Sequence, residues 1–343
     1  MKINFGMWRK ALTIIPAVSK DEWNRLDIIS KWLISTRAAV LVMTFISAAL
    51  AGLFAFRDNS FSFLPWILLT FGLIMAHASN NLLNDYVDYI RGVDQNNYFR
   101  ALYGPHPLEH QLMTKRQHLA YFAISGVLAL ASGLSLVWYN QFDVLVWSLL
   151  GTGAFLLLFY TWPLKYIALG EVAVFLVWGP LMIGGGYYVI THRWDWNVVL
   201  AGIIYALGVT TVIFGKHIDK IQLDREKRIF TLPVLLGEKT TRYLVIAMML
   251  LPFFLATYLI VTKYFTPLIL IILLALPRLG QVLPAFLKPR PAERPTNFPE
   301  GQGGWPLYFA PLSFWYNRTF GTYFVLGLVA DVLIRFFLPA FWR

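Results

Sequence analysis

The residues best suited to chemistry lie at the end of a long apolar segment, where amides and carboxylates follow one another closely. Within the stretch Asn80–Asp94, these polar residues include Asn81, Asn84, Asp85 and Asp88. Residues three, four or seven apart share one face of a helix, so the four side chains form one stripe if the segment is helical. Carboxylate and amide oxygens in such a stripe are suited to bind Mg²⁺.

A second acidic segment, Lys216–Glu238, also follows an apolar run. In this segment His217, Lys220 and Asp224 share a helical face by steps of three and four residues. Asp219 points about 140° away from Asp224 on a straight helix, so both acids can face one ion only if the helix breaks between them.

Two acidic clusters, each accompanied by Lys or Arg, suit a diphosphate that is held through Mg²⁺. Mg²⁺ prefers few carboxylates together with phosphate oxygens and water. The basic groups would neutralise the charge that builds on a departing diphosphate, which is a main catalytic lever when a phosphate ester leaves. Either cluster alone would be explained as the solvated end of a helix, but the two together favour the functional interpretation.

The composition places these clusters in a membrane protein, because 58% of the residues are hydrophobic and only 14% are charged. A helix needs about 20 apolar residues to span a bilayer. The apolar runs that meet this need are residues 38–56, 63–83, 119–139, 144–160, 169–190, 196–214, 244–261, 268–286 and 320–337. The sequence therefore predicts an all-α integral membrane bundle of about nine transmembrane helices.

The Lys and Arg residues predict the orientation of these helices, because cytoplasmic loops collect basic residues. Most of the 29 basic residues fall on the side of the N-terminus, and the other side receives only Arg57, Arg193, Lys263 and Arg343. We expect a multi-pass protein of the cell membrane with a cytoplasmic N-terminus and its C-terminus on the opposite side. The net charge of +11 then reflects topology and anionic lipid, and it requires no nucleic acid.

The chain needs no second globular domain. Residues 1–30 are expected to form a cytoplasmic N-terminal segment, and residues 31–343 the transmembrane domain. The absence of cysteine excludes disulfides, thiolate metal sites and cysteine nucleophiles. A loop rich in Pro and Gly, from Leu287 to Thr319, is interpreted as an ordered surface cap or a flexible linker.

The acidic segments resemble those of the UbiA superfamily of intramembrane prenyltransferases. The first motif, Asn84–Asp94, is closest to that of the 1,4-dihydroxy-2-naphthoate prenyltransferases of menaquinone synthesis. Two further stretches, Tyr160–Tyr166 and Leu169–Pro180 with Gly186–Val189 after it, are similar to the same branch. The resemblance implies a nine-helix bundle around a central cavity, with a Mg²⁺-bound polyprenyl diphosphate at its cytoplasmic end and prenyl transfer to an aromatic acceptor.

The resemblance also assigns roles to individual residues of this chain. Asp85, Asp88, Asp224 and Lys165 are implied to be catalytic, and Lys165 to approach the diphosphate. The metal ligands so implied are Asp85, Asp88, Asp94, Asp224 and, as the weaker candidate, Asp219. The residues assigned to diphosphate binding are Asn81, Asn84, Arg91, Lys165 and Lys220.

The second motif departs from the common family pattern. Lys220 occupies a position where the family commonly has an acid, and His217 one where asparagine is frequent. The sequence therefore leaves open whether one or two ions bind, whether Lys220 contacts the diphosphate directly, and which nucleophile is accepted. Two other roles stay open as well: Glu171 could orient Lys165 or cap its own helix, and neither His118 nor His217 is assigned as a base.

Three functions agree with these observations. The leading one is Mg²⁺-dependent transfer of a prenyl group from a polyprenyl diphosphate to a small aromatic acceptor such as dihydroxynaphthoate. The second is a terpene cyclase or a prenyltransferase to a non-aromatic acceptor. The third is a membrane transporter or lipid-binding protein whose acids bind a cation or a headgroup. Acids at helix ends, and not at the bilayer midplane, weigh against the third.

Overall fold

A computed structural model describes residues 3–94, 104–296, 298 and 304–337, and these residues form an all-helical structure. The helices are α1 (Phe5–Thr13), α2 (Lys20–Arg25), α3 (Ile28–Ser35), α4 (Ala38–Arg57), α5 (Phe63–Ile90), α6 (Lys115–Tyr139), α7 (Val144–Phe159), α8 (Gly170–Thr191), α9 (Trp196–Asp219), α10 (Ile221–Glu226), α11 (Leu232–Val261), α12 (Pro267–Leu287) and α13 (Phe309–Phe337). Part of α8, Val177–Gly185, is π-helical, and α12 begins as a 3₁₀ helix.

Eight helices of the described residues are long and apolar enough to cross a membrane, namely α4, α5, α6, α8, α9, α11, α12 and α13. The predicted run 144–160 forms α7, which is apolar but only 16 residues long. The prediction of an all-α, multi-pass membrane fold is thus confirmed, with eight long helices and a shorter ninth. Several helices continue past their apolar runs, and α5 extends to Ile90, so the first acidic stripe is helical as predicted.

The chain divides into two compact units, with residues 1–46 and 67–163 in the first and residues 47–66 and 164–343 in the second. The predicted boundary near residue 30 stays a prediction. In the first unit, the N-terminal helices contribute Met7, Ala11 and Trp23 to a buried cluster that also contains Ala78 of α5 and Leu112 of the segment before α6. The segment before α4 is therefore part of the core of this unit.

Asp27 fixes the N-terminal segment of the first unit. Its carboxylate caps α3 by accepting hydrogen bonds from the backbone and hydroxyl of Ser30, and it also accepts from the Trp8 indole and the Asn4 backbone. Burial would raise the pKa of Asp27, but these hydrogen bonds hold it well below its usual value. The charge therefore stabilises the arrangement of α1 and α3 at neutral pH.

Close contact between helix backbones organises the second unit. A Cβ atom on Gly179 of α8 would lie 2.7 Å from the carbonyl oxygen of Gly202 of α9, and a Cβ on Gly202 would lie 3.1 Å from the carbonyl oxygen of Gly179. Small residues allow membrane helices to approach in this way. Near the end of α13, Arg335 Nε lies 3.2 Å from Asp331 Oδ2, across one helical turn.

The loop after α12 is held in the second unit by Arg290. Its backbone N–H donates to Glu238 Oε1 at 2.9 Å, and its guanidinium lies 4.7 Å from the centre of the Trp305 ring. For the described part of this loop, these contacts favour an ordered cap. The predictions that concern Pro299, Gly301, Gly303 and Arg343 lie outside the described residues.

Candidate active site

The first acidic motif occupies the last turns of α5. Asn81, Asp85 and Asp88 are buried, although all carry polar side chains near the end of the helix. The Asn84 amide donates to Asp88 Oδ2 at 3.3 Å, across one helical turn. The predicted stripe therefore exists, and two of its members, Asn84 and Asp88, contact each other.

Arg37 forms an ion pair with Asp85 that the sequence analysis did not identify. Its Nη2 atom lies 2.9 Å from Asp85 Oδ1 and donates to the Asn81 carbonyl at 3.1 Å. Arg37 adopts a left-handed backbone conformation in the turn between α3 and α4. In the same turn, the Thr36 carbonyl accepts a hydrogen bond from the Asn81 amide at 2.8 Å. The sequence signal that could have identified Arg37 is its position directly before the first apolar run.

The stretch Tyr160–Tyr166, singled out by resemblance, begins beside this motif in the first unit. The Thr161 hydroxyl is 3.1 Å from Asn84 Nδ2, so Asn84 contacts both Thr161 and Asp88. The Arg91 guanidinium lies 4.9 Å from the centre of the Trp162 ring, in a cation–π contact. Two motifs that are far apart in sequence are therefore neighbours in this unit.

Asp94 lies beyond the end of α5, after a turn in which Gly92 has a φ of 66°. Its Oδ2 atom is 3.2 Å from His106 Nε2, and both side chains are buried. Asp94 therefore has a histidine partner in the segment before α6, and its predicted role as a metal ligand remains untested.

In the second unit, the helix breaks where the sequence required it for both acids to face one ion. The α9 helix ends at Asp219, Lys220 leaves the helical conformation, and α10 carries Asp224. The Asp219 carboxylate nevertheless binds elsewhere, because it accepts the backbone N–H groups of residues 308, 309 and 310 at 2.9, 3.0 and 3.0 Å. Arg290 Nε lies 3.6 Å from it.

Asp219 therefore caps the start of α13, and these contacts argue against the metal-ligand role that the sequence suggested for it. Helix N-termini favour carboxylates, since their N–H groups have no partner within the helix. Burial and the neighbouring Asp219 charge raise the pKa of Tyr308 above its ordinary value. The partners of Asp219 lie about 90 residues away in sequence, and no local pattern indicated them.

Asp224 and Lys220 form the polar part of the second motif. Asp224 is buried, and Lys220 Nζ lies 3.4 Å from its Oδ1 atom across one helical turn. Lys220, which departs from the family pattern, thus lies next to Asp224, which matches that pattern. The Lys220 ammonium is therefore close enough to Asp224 for both side chains to contact one bound group.

The turn that carries Lys165 runs beside the second motif. Lys165 lies in a short 3₁₀ turn, Leu164–Tyr166, and the next residue, Ile167, forms a parallel backbone bridge with Phe230. A Cβ on Gly170 would lie 3.2 Å from Lys165 Cα, so α8 begins tightly against this turn. The second unit thus joins Lys165 to the segment that follows Asp224.

Glu171 contacts a residue that neither open interpretation had named. Its Oε1 atom lies 2.6 Å from His217 Nδ1 and accepts the backbone N–H of Leu232 at 3.2 Å. Both side chains are buried, so His217 is oriented by a carboxylate. The two residues are 46 positions apart, which is why spacing within one helix could not pair them.

The oxygen ligands that each unit offers, taken separately, are of the kind that Mg²⁺ prefers. Asp85, Asp88 and Asn84 offer hard oxygen ligands on one stripe, and Asp224 offers a carboxylate beside a lysine. Among the described residues, no three His, Asp or Glu side chains are gathered as a ready metal cage. Mg²⁺ does not require one, because it is usually bound by one or two carboxylates with phosphate oxygens and water.

Comparison with known proteins supports the resemblance. The model of the UbiA prenyltransferase family matches residues 44–297. The chain is 26% identical to the UbiA prenyltransferase domain-containing protein 1 homolog of Drosophila melanogaster, over 62% of this chain and 58% of that protein. It is 27% identical to the 1,4-dihydroxy-2-naphthoate octaprenyltransferase of Escherichia coli, over 62% of this chain and 70% of that enzyme. The match thus spans less than two thirds of the Drosophila protein.

Two solved structures share the fold. One, from work on digeranylgeranylglyceryl phosphate synthase, aligns with a TM-score of 0.56 at 16% identity, over 89% of this chain and 98% of that chain. The other is a UbiA homolog from Archaeoglobus fulgidus bound to DMAPP and Mg²⁺, with a TM-score of 0.52 at 14% identity over 87% and 99% of the two chains.

Proposed function

The chain belongs to the UbiA prenyltransferase family, and from this premise we propose that it transfers a prenyl group from a polyprenyl diphosphate to a small aromatic acceptor in a Mg²⁺-dependent reaction. The observation that carries the proposal is the stripe of Asn84, Asp85 and Asp88 on α5, in which Asn84 orients Asp88 and Arg37 holds Asp85. Dihydroxynaphthoate is the acceptor we propose, because several relatives are named for that substrate.

We propose Asp85 and Asp88 as Mg²⁺ ligands of the first unit, and Asp224 as a Mg²⁺ ligand of the second. Asp219 is left out of this set because it caps α13. Asp94 is a weaker candidate, since it is paired with His106. When bound, the ion would neutralise charge on the diphosphate and favour its departure. The Mg²⁺-bound homolog supports the choice of ion.

Lys165, Lys220 and Arg91 are the cations that we assign to the diphosphate. As the allylic C–O bond breaks, its electron pair leaves with the diphosphate, and fixed positive charge stabilises that leaving group. Lys220 is held next to Asp224, so it is positioned to act on a diphosphate that reaches this acid. The Asn84 amide orients Asp88 by a hydrogen bond. The Asn81 amide instead stabilises the turn that carries Arg37, by donating to the Thr36 carbonyl.

The test is a reaction of the purified protein with Mg²⁺, farnesyl diphosphate and 1,4-dihydroxy-2-naphthoate, followed by mass spectrometry of the products. We expect a prenylated naphthoate that is not formed when EDTA replaces Mg²⁺. Release of diphosphate without any aromatic partner would favour the cyclase or non-aromatic transferase. Absence of product across a panel of aromatic acceptors would contradict the proposal.

A further inference from the structure

A buried carboxylate–imidazole pair in the second unit is not used by the mechanism proposed above. Glu171 and His217 are 1% and 4% exposed, and their closest polar atoms are 2.6 Å apart. The same Glu171 oxygen accepts the backbone N–H of Leu232. Residues of α8, α9 and α11 thus meet at one carboxylate, and the imidazole ring is held in a fixed orientation.

Polar atoms on both members of the pair lack a partner within the described part of the chain. Glu171 Oε2 is buried and makes no hydrogen bond there. His217 is bonded only through Nδ1, which leaves Nε2 without a protein partner among these residues. A buried polar atom without a partner costs about 1–3 kcal/mol. A pair that served only to join helices would be expected to satisfy Glu171 Oε2.

The pair is attached to both segments that we assign to the diphosphate in this unit. Glu171 follows Gly170, which contacts the Lys165 turn. His217 lies in the last turn of α9, immediately before the break that leads to Asp224 on α10. A proton acceptor at this position would lie close to the bond being formed if Lys165 and Asp224 hold the leaving group.

We propose that His217 is the base that accepts the proton of the aromatic acceptor, and that Glu171 is its positioning residue; this inference rests on the function proposed above. The acceptor hydroxyl proton moves to His217 Nε2. The electron pair so freed forms the new bond to the allylic carbon, through oxygen or through the conjugated ring carbon, while the broken C–O bond leaves its electrons on the diphosphate. Glu171 stabilises the imidazolium that results.

The test compares His217→Gln with the unmodified protein, using farnesyl diphosphate, Mg²⁺ and a series of ring-substituted dihydroxynaphthoates whose hydroxyl groups become steadily more acidic. We expect kcat/KM for the parent acceptor to fall by about 100-fold, the usual contribution of a general base. The loss should shrink as the acceptor becomes more acidic, since such acceptors depend less on a base. Glu171→Gln should show the same dependence with a smaller loss, and it replaces His217→Gln if that variant does not fold.

Asp331→Asn is the matched control, because it removes the buried carboxylate of another ion pair of the second unit. It should lower the thermal stability and change the rate by the same factor for every acceptor. Full activity of His217→Gln, or an equal loss for all acceptors, would overturn the role of His217 as a base. Inactivity of the unmodified protein with the whole series would instead contradict the proposed function.

Discussion

Asp85 and Asp88 lie within one turn of each other on α5 but differ in what surrounds them. Asp88 accepts a hydrogen bond from Asn84, which an asparagine could also accept. We expect Asp88→Asn to lose more than about 100-fold in turnover, because the charge that binds the ion is gone. Its melting temperature in detergent, measured beside the turnover, shows whether the loss arises at the site or from the fold. A variant that keeps full Mg²⁺-dependent turnover would defeat the assignment of Asp88.

Asp85→Asn should lose activity and also stability. The charge on Asp85 is paired with Arg37, so this variant leaves a largely buried guanidinium without its carboxylate. Breaking a buried pair from one side costs about 3–5 kcal/mol. The double variant Arg37→Gln with Asp85→Asn should recover part of the stability but none of the activity. Thermal unfolding and turnover, measured on the unmodified protein, the single variant and the double variant, separate the loss of stability from the loss of activity.

Lys220 tests the departure from the family pattern. The substitution Lys220→Asp restores the common acid, but it also places a second negative charge near Asp224. If Lys220 acts on the diphosphate, the KM for farnesyl diphosphate should rise, and it should rise more than in the neutral control Lys220→Gln. Tighter binding of the diphosphate by Lys220→Asp would reject this role and favour a second metal site.

At the scale of helices, the crossing of α8 and α9 depends on two glycines. Gly179→Ala would place a methyl group 2.7 Å from a backbone carbonyl that cannot move alone. Such overpacking costs about 1–3 kcal/mol, so we expect a lower melting temperature. The control is Gly280→Ala in α12, where nothing lies within 4 Å of the added atom. A helical glycine without neighbours should gain slightly, or change little, on conversion to alanine.

The helices and their stripes were predictable from sequence because both depend on residues close together in the chain. Apolar runs gave the spans, and steps of three and four gave the face of α5 that carries Asn84 and Asp88. The pairs of Arg37 with Asp85, Glu171 with His217, and Asp219 with the start of α13 were not predictable. Each joins residues separated by more than 40 positions, and helical periodicity contains no information about which helices become neighbours.

For the whole molecule, each compact unit contains one acidic segment, and the orientation predicted from charge puts both on the cytoplasmic side. The chain has no cysteine, so single cysteines can report this orientation without other labelling sites. Lys115 is the first residue of α6 and Arg225 lies in α10, and both are exposed on the predicted cytoplasmic side. Arg193 and Lys263 are exposed on the predicted opposite side.

We expect cysteines at positions 193 and 263 to react with a membrane-impermeant maleimide in intact cells, because they face the outside. Cysteines at positions 115 and 225 should react only after the membrane is opened. Labelling all four after detergent treatment controls for local shielding of a thiol. The reverse pattern in intact cells would invert the topology, and with it the side from which the acidic segments receive a charged diphosphate that does not cross the bilayer unaided.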